Sequence, residues 1–378
     1  MRSYRSLILA VSLMVLIPFG RAEDGVTSST IIIGQSVSLT GPTGSLGEEM
    51  RRGALAYFEK INREGGINGR KIILKTLDDA YEVNRTVANV TQLIEKDKVF
   101  ALFGLRGTSH VNAAAKIFTP AKVPLIGPFT GAKAIRIPLN HYIFHVRASY
   151  ADETERLIQQ VTSFGIKNIA VFYQNDGYGK EGLSAAEAAM KQYGLKPIAV
   201  GLVETNSNDV NNAVNAIVKE APQAILLYAN YEASAAFVRK MHAVKSQPQF
   251  MGLSIIDIEA LAKELGAESR GIGTSQVVPN VNSTGVKVVK EYQHDMKVFS
   301  PNANYSFLSL ESYISAKTLV EGLRRTGSNP TREKLIAALE SMTDYDMGGF
   351  VIKYSPDSHE GSKYTDLTVI GPEGKILH

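Results

Sequence analysis

The stretch VSLTGPTGSLGEEMRRGALAYF, residues 37–58, decides how this chain is read. A hydrophobic run ends, Gly41, Gly44 and Gly47 follow, and an amphipathic segment begins. Strand, glycine turn and helix in that order are how many folds hold phosphate on backbone N–H groups. The residues between the glycines argue against that guest. A dinucleotide turn reads G-x-G-x-x-G, whereas this one reads G-P-T-G-S-L-G. Pro42 removes a donor where phosphate needs one. Glu48 and Glu49 suit the positive end of a helix but repel a phosphate. No G-K-[ST] follows.

Outward from this stretch, short apolar runs alternate with longer amphipathic ones. Strands are expected at 31–39, 71–77, 99–104, 123–128 and 144–148, with helices at 48–63, 87–96 and 111–118. A second round opens at NIAVFY (168–173). Helices at 181–193, 210–219 and 234–244 then separate strands at 197–203, 224–228 and 250–253. This alternation predicts βαβ units and two mostly parallel, doubly wound α/β sheets in tandem. Continuous apolar strands such as AILLY fit sheets covered on both faces. Later residues read as helices at 306–325 and 331–342, with short strands at 349–354 and 367–370.

Composition narrows the class. The chain has 378 residues, enough for two domains by the usual prior. Residues 1–22 carry Arg2 and Arg5, an uncharged apolar run at 7–19, and Gly20-Arg21-Ala22, the layout of a secretory signal peptide cut after Ala22. Without them the formal charge falls from +4 to +1, so the basic balance resides largely in the export signal and a nucleic-acid surface is not expected. There is no cysteine, hence no disulfide, thiolate metal site or lipidated anchor. A soluble periplasmic protein is the simplest address.

Ligands of open α/β sheets sit beyond the carboxyl ends of the strands. That rule selects 40–47, 105–109, 128–132, 175–179, 230–232 and 254–257, loops rich in glycine, small hydroxyls and tyrosine. No G-x-S-x-G, H-E-x-x-H or Cys–His pattern marks an enzyme. His141 and His145 fall in strand-like sequence, so no metal site is expected. Asp78 and Asp79 point to opposite faces of a strand end and suit capping better than paired acid–base chemistry. GTSHV (107–111) and PFTGA (128–132) each set hydroxyls and glycine ahead of an expected helix, where free N–H groups can hold a carboxylate.

Several longer stretches carry a family likeness: SLTGPTGSLGEEMRRGALAYFEKINREGGINGRKIILKTLDDAY, IGPFTGA, FHVRASYADE, YQNDGYGKEG and QFMGL. In these the chain resembles the periplasmic solute-binding proteins of ABC importers in the leucine/isoleucine/valine-binding group, over essentially all of its mature length. The resemblance implies two Rossmann-like lobes joined by three crossovers, near Arg147, 276–279 and 349–354, with ligand closing between them. Lobe 1 is then 23–146 and 277–350, and lobe 2 is 147–276 and 351–378. Carried over by position, Gly107, Thr108 and Ser109 match one ligand loop, and Thr130, Gly131 and Ala132 the other. Leu46 falls against the ligand's variable end. Tyr178 and Tyr231 match second-lobe contacts, and Tyr150 lies at the first hinge.

Two departures bear on the ligand. Amino-acid-binding relatives carry a glutamate for the ligand's ammonium where this chain has Ser254. Asp257 is read as a helix cap. A buried ammonium without a carboxylate is costly, so a carboxylate lacking the amine stands beside a branched-chain amino acid as the expected solute. An aromatic acid facing Tyr150, Tyr178 and Tyr231 is one such candidate. Tyr81 and Arg106 replace a cysteine pair of some relatives, and Arg106 is expected either to stack on Tyr81 or to reach the ligand's carboxylate. The implied function is non-catalytic and cofactor-free, a monomeric receptor delivering a small solute to an inner-membrane ABC permease. A ligand sensor on the same fold, feeding a signalling partner, is the alternative.

Overall fold

A computed structural model describes residues 23–378. The expected signal segment and its cleavage point lie outside the described residues. The first round of elements is β1 (Thr30–Val37), α1 (Gly44–Arg63), β2 (Lys71–Asp78), α2 (Val83–Glu95), β3 (Ala101–Phe103), α3 (Thr108–Phe118), β4 (Leu125–Ile126) and β5 (Ile143–Phe144). Their strands form one five-stranded parallel sheet in the order β2-β1-β3-β4-β5.

The second round is α4 (Tyr150–Ser163), β6 (Ile169–Gln174), α5 (Gly177–Gln192), β7 (Val200–Val203), α6 (Asn211–Val218), β8 (Ala224–Tyr228), α7 (Tyr231–Ala243), β9 (Gln249–Gly252), α8 (Ile258–Leu265) and β10 (Gly273–Gln276). After these come α9 (Lys287–Phe299), α10 (Phe307–Arg325), α11 (Arg332–Glu340), β11 (Tyr345–Asp346), β12 (Val351–Ile352), β13 (Asp366–Ile370) and β14 (Ile376–Leu377). The second sheet runs β14-β13-β10-β9-β8-β6-β7, parallel except for β13 and β14. Its first five strands, read in chain order, repeat the order of the first sheet. The fold is thus a pair of doubly wound α/β lobes. In each, strand order reverses between the first and third strands, which is where such sheets open a crevice.

The opening loop is a braced turn. Asp78 accepts from the N–H groups of Leu39 (2.8 Å) and Thr40 (3.2 Å), from the Thr40 hydroxyl (2.6 Å) and from Ala80 N–H (3.0 Å). Burial works against its charge, but the Thr40 hydroxyl and these N–H groups hold the carboxyl well below the usual range. Asp79 caps in the same manner, accepting from Ser36, Thr86 and Tyr81 N–H. Gly47 is required by contact, since a Cβ there would stand 1.8 Å from the Ser38 carbonyl oxygen.

The late helices return to the first lobe. α10 is buried almost all round; Tyr313 packs edge-on against Tyr57 of α1 at 5.0 Å, and the Tyr313 hydroxyl donates to Asp295 of α9. Arg332 at the start of α11 donates to the carbonyls of Phe100 and Val99 beside β3. The last crossing falls later than the boundary at 350/351. Tyr354 N–H donates to Met342 O, His145 N–H to His359 O, and Gly361 N–H to His145 O. Residues 351–361 therefore belong to the first lobe, and the chain enters the second sheet only at Asp366. β12 pairs with β11 in a separate two-stranded ribbon and with neither lobe's sheet. Among the described residues no helix is long and apolar enough to cross a membrane.

Candidate functional site

Four helices that face the crevice begin about one turn earlier than their periodicity predicts. α1 starts at Gly44 rather than 48, α3 at Thr108 rather than 111, α5 at Gly177 rather than 181, and α7 at Tyr231 rather than 234. The extra turns are built from glycine, serine, threonine and tyrosine, which lack a helical apolar period. A first turn tolerates them because its N–H groups have no intrahelical partner in any case. Residues expected in loops are therefore helical. Leu46 is one of them. It does not sit at a loop tip but is buried in the first turn of α1, in the same apolar cluster as Tyr150 and Tyr178. The segment 128–132 differs in the other direction, since only a 3-10 turn, Lys133–Ile135, follows it.

These helix starts meet in pairs across the lobes. Gly177 N–H, at the start of α5, donates to the Ser109 hydroxyl of α3 at 2.9 Å. The Tyr231 hydroxyl of α7 donates to the Pro42 carbonyl ahead of α1 at 3.3 Å. Between the pairs runs a closed ring. Arg106, after β3, donates to Asn230 Oδ1 (2.9 Å), Asn230 Nδ2 to Gln174 (3.0 Å), and Gln174 Nε2 to Asp176 (2.6 Å). Tyr81 reaches Asp176 at 3.5 Å, and the Arg106 guanidinium lies 4.7 Å from the Tyr81 ring centroid. The stacking expected of Arg106 is thus present. Its Nε and Nη1 are buried and make no hydrogen bond, and among the described residues no carboxylate lies within salt-bridge distance of it.

Beside this ring the expected hydroxyls come together. Thr108 and Thr130 share a hydrogen bond at 2.7 Å, and Thr130 Oγ1 accepts from Ala132 N–H at 3.3 Å. The Tyr150 and Tyr178 rings are 5.4 Å apart, and Tyr178's hydroxyl is buried without a partner. Burial raises both phenols, so each remains a neutral donor. Gly131 lies against Tyr150, whose N–H donates to its carbonyl at 2.8 Å. Gly107, at φ +94°, places Thr108 at the start of α3. Tyr231 stays half-buried at the edge.

Ser254 belongs to a buried charge cluster that the sequence did not reveal. Its hydroxyl accepts from Arg147, and its N–H donates to Glu153 at 2.9 Å. Glu153 also takes Arg147 (3.0 Å) and the Ser275 hydroxyl (2.6 Å), while Glu311 of α10 lies 3.6 Å from Arg147. Burial opposes the Arg147 charge, yet Glu311 and Glu153 hold it above its ordinary value. Glu311 is pushed up to about 7 by burial, with Arg147 opposing and Glu153 adding to the rise. Arg147 and Glu153 stand within FHVRASYADE, but nothing in their spacing marked them as partners of each other or of Glu311 on an apolar helix.

A cavity of about 670 Å³ opens between the lobes beside Tyr231, lined by Ser45, Glu49, Asp257, Glu259 and Tyr305 among others. Asp257 caps α8, accepting from Ala260 N–H at 2.8 Å. Burial raises Asp257 to about 6 and Glu259, with Asp257 adding to it, to about 8. Near neutral pH this wall carries less negative charge than its composition suggests.

The comparisons with known proteins agree with this architecture. A family described as periplasmic binding protein matches residues 30–374. An amino acid binding protein of Pseudomonas aeruginosa is 26% identical over 79% of each chain, and Leu/Ile/Val-binding protein homolog 3 of Brucella melitensis is 22% identical over 92% of this chain and 93% of its own. Among solved structures, a possible leucine/isoleucine/valine-binding protein from Rhodopirellula baltica superimposes with a TM-score of 0.89 at 30% identity, covering 95% of this chain and 98% of that one. A substrate-binding periplasmic protein from Ralstonia solanacearum gives 0.86 at 34%, covering 92% and 99%.

Proposed function

This chain belongs to the periplasmic binding proteins of the leucine/isoleucine/valine-binding group, with the type I fold, and we propose that it captures a small carboxylate-bearing solute between its lobes and delivers it to an ABC permease. The observation that carries the ligand class is Arg106, a buried cation with two unpartnered guanidinium nitrogens and, among the described residues, no carboxylate within salt-bridge distance. A buried charge left unpaired is costly, and a carboxylate in the crevice relieves that cost. The surroundings favour the same guest. Helix starts bring partial positive charge, while Thr108, Thr130, Tyr150 and Tyr178 offer neutral hydroxyls.

No free carboxylate waits for an ammonium at Ser254. The nearby Glu153 is already engaged by Arg147, Ser254 N–H and the Ser275 hydroxyl. The solute is therefore a carboxylate without an α-amine, an aromatic or other organic acid, packed against Tyr150, Tyr178 and Leu46. Binding bridges the lobes and shifts the open population to the closed one. A micromolar Kd corresponds to about −8 kcal/mol, within reach of a few charge-assisted hydrogen bonds once ordering is deducted.

A thermal-shift screen over amino acids, their des-amino analogues, aromatic acids and short dicarboxylates, followed by calorimetry on the hits, tests this reading. At ligand 100-fold above Kd a true solute stabilises the closed protein by about 2.7 kcal/mol. Strong stabilisation by leucine or valine, with none from the des-amino acids, would overturn the assignment at Ser254. Chemical turnover of any hit would overturn the receptor role.

A further inference from the structure

On the first lobe, away from the crevice, three side chains from distant parts of the chain converge. His141 precedes β5, Glu340 ends α11, and His359 lies in the segment leading to the last crossing. His141 Nδ1 stands 3.4 Å from Glu340 Oε1, and His359 Nε2 stands 3.2 Å from the same oxygen. All three atoms lie within 4.8 Å of one another. We propose that His141, Glu340 and His359 form a binding site for a divalent transition metal ion, with Zn²⁺ the best fit to this ligand set.

The spacing suits coordination. Four ligands about 2.0–2.1 Å from zinc in a tetrahedron are separated by about 3.3 Å, close to both His–Glu distances here. The ring of His359 is fixed in the way a metal-binding imidazole requires. Its Nδ1 is 3.0 Å from the Ile143 carbonyl oxygen, and its face stacks on Phe144 at 3.8 Å and 15°. With a metal ion on Nε2, the Nδ1 hydrogen would donate to the Ile143 carbonyl, which only accepts. A second-sphere carbonyl of this kind orients ligating histidines. A single divalent ion between the three groups would satisfy both imidazole lone pairs and the carboxylate at once.

Two imidazoles and one carboxylate leave a fourth position for water. His141 is exposed and opens onto a cavity of about 170 Å³, also lined by Lys122, Arg332 and Glu333. The Arg332 guanidinium is engaged by the Val99 and Phe100 carbonyls. Histidines 141 and 145 share a strand-like stretch, but only the first takes part. His145 turns Nε2 to the Ile135 carbonyl instead. A bound ion would pin the segment carrying His359 to β5 and α11, fixing the approach to the third crossing on the first lobe.

The test uses the full mature chain without a histidine tag, stripped with a chelator and titrated with Zn²⁺ in competition with a chromophoric zinc indicator. Cobalt(II) substitution then reads the coordination number from its visible absorption. One equivalent of Zn²⁺ and a four-coordinate Co²⁺ spectrum are expected. His141→Ala and Glu340→Gln should each weaken Zn²⁺ by at least tenfold. His141 is the decisive position because its exposed ring can be removed without disturbing the core, unlike the stacked His359. Absence of stoichiometric Zn²⁺ binding overturns the proposal, as does binding that neither variant changes.

Discussion

Replacing Glu311 by glutamine should flatten the pH dependence of folding. Glu311 is fully buried on α10 and faces Arg147, with Glu153 and Arg136 also within its field. Its carboxyl is raised from 4.5 to about 7. The folded state therefore holds the proton more tightly than the unfolded chain. Its stabilising effect is complete below pH 4.5 and is lost as pH rises through 7, because folding must then surrender the proton or bury the charge. At about 1.4 kcal/mol per unit, the loss between pH 5 and pH 8 amounts to about 2.5 kcal/mol from this group. Glutamine keeps the shape of the neutral acid and cannot ionise, and Arg147 retains Glu153 as its counter-ion at 3.0 Å. Urea denaturation of both proteins at pH 5 and pH 8, with m-values compared to verify equal exposed surface, measures the difference. Asp257 and Glu259 add a pH dependence of their own, but the two proteins share it. The wild type should lose about 2.5 kcal/mol more than Glu311→Gln across this interval. An equal loss in the two would refute the assignment of a neutral Glu311 below pH 7.

Three further outcomes follow from the crevice. Arg106→Ala should weaken binding of the screened carboxylate by roughly 30-fold or more, the scale of a buried charge pair losing one partner; calorimetry with unchanged affinity would leave Arg106 with its Tyr81 stacking alone. Gly131→Ala would put a Cβ 2.6 Å from Tyr150 Cδ1 and from its nitrogen, so overpacking of about 1–3 kcal/mol should appear as a lower melting temperature together with weaker ligand binding. Ser109→Ala deletes the acceptor of Gly177 N–H across the lobes. A loss of about 1 kcal/mol from the closed state should weaken affinity about fivefold and enlarge the radius of gyration measured by small-angle scattering with ligand at subsaturating concentration; identical scattering and affinity would show that this bond does not govern closure.

The difference between what was legible and what was not has a consistent cause. Apolar runs such as AILLY at β8 and IAVFY within β6 announced two wound sheets, since burial on both faces leaves a mark on every residue. Capping is equally local. Asp257 accepts from an N–H three residues on, as its reading as a cap implied, and Ser306 and Thr331 do the same at the starts of α10 and α11. The first turns of α1, α3, α5 and α7 were not visible, because their glycines and hydroxyls carry neither a helical period nor high propensity. Tertiary contact across the lobes holds them.

The sequence by itself therefore determined the α/β class, and it carried the reading of the opening turn against phosphate. Pro42, the glutamates and the glycine spacing act through covalent geometry and nearest neighbours, which one dimension contains. Only the tertiary structure decided that Arg106 is buried without a counter-charge. The same holds for Glu311 closing on Arg147, and for His141, Glu340 and His359 meeting on one face. Those are pairings between residues remote in the chain, and their energies depend on burial and distance that no local pattern records. The loop at 40–47 shows both sides. Its turn was readable from the glycines, but the burial of Leu46 beneath the first turn of α1 required the fold.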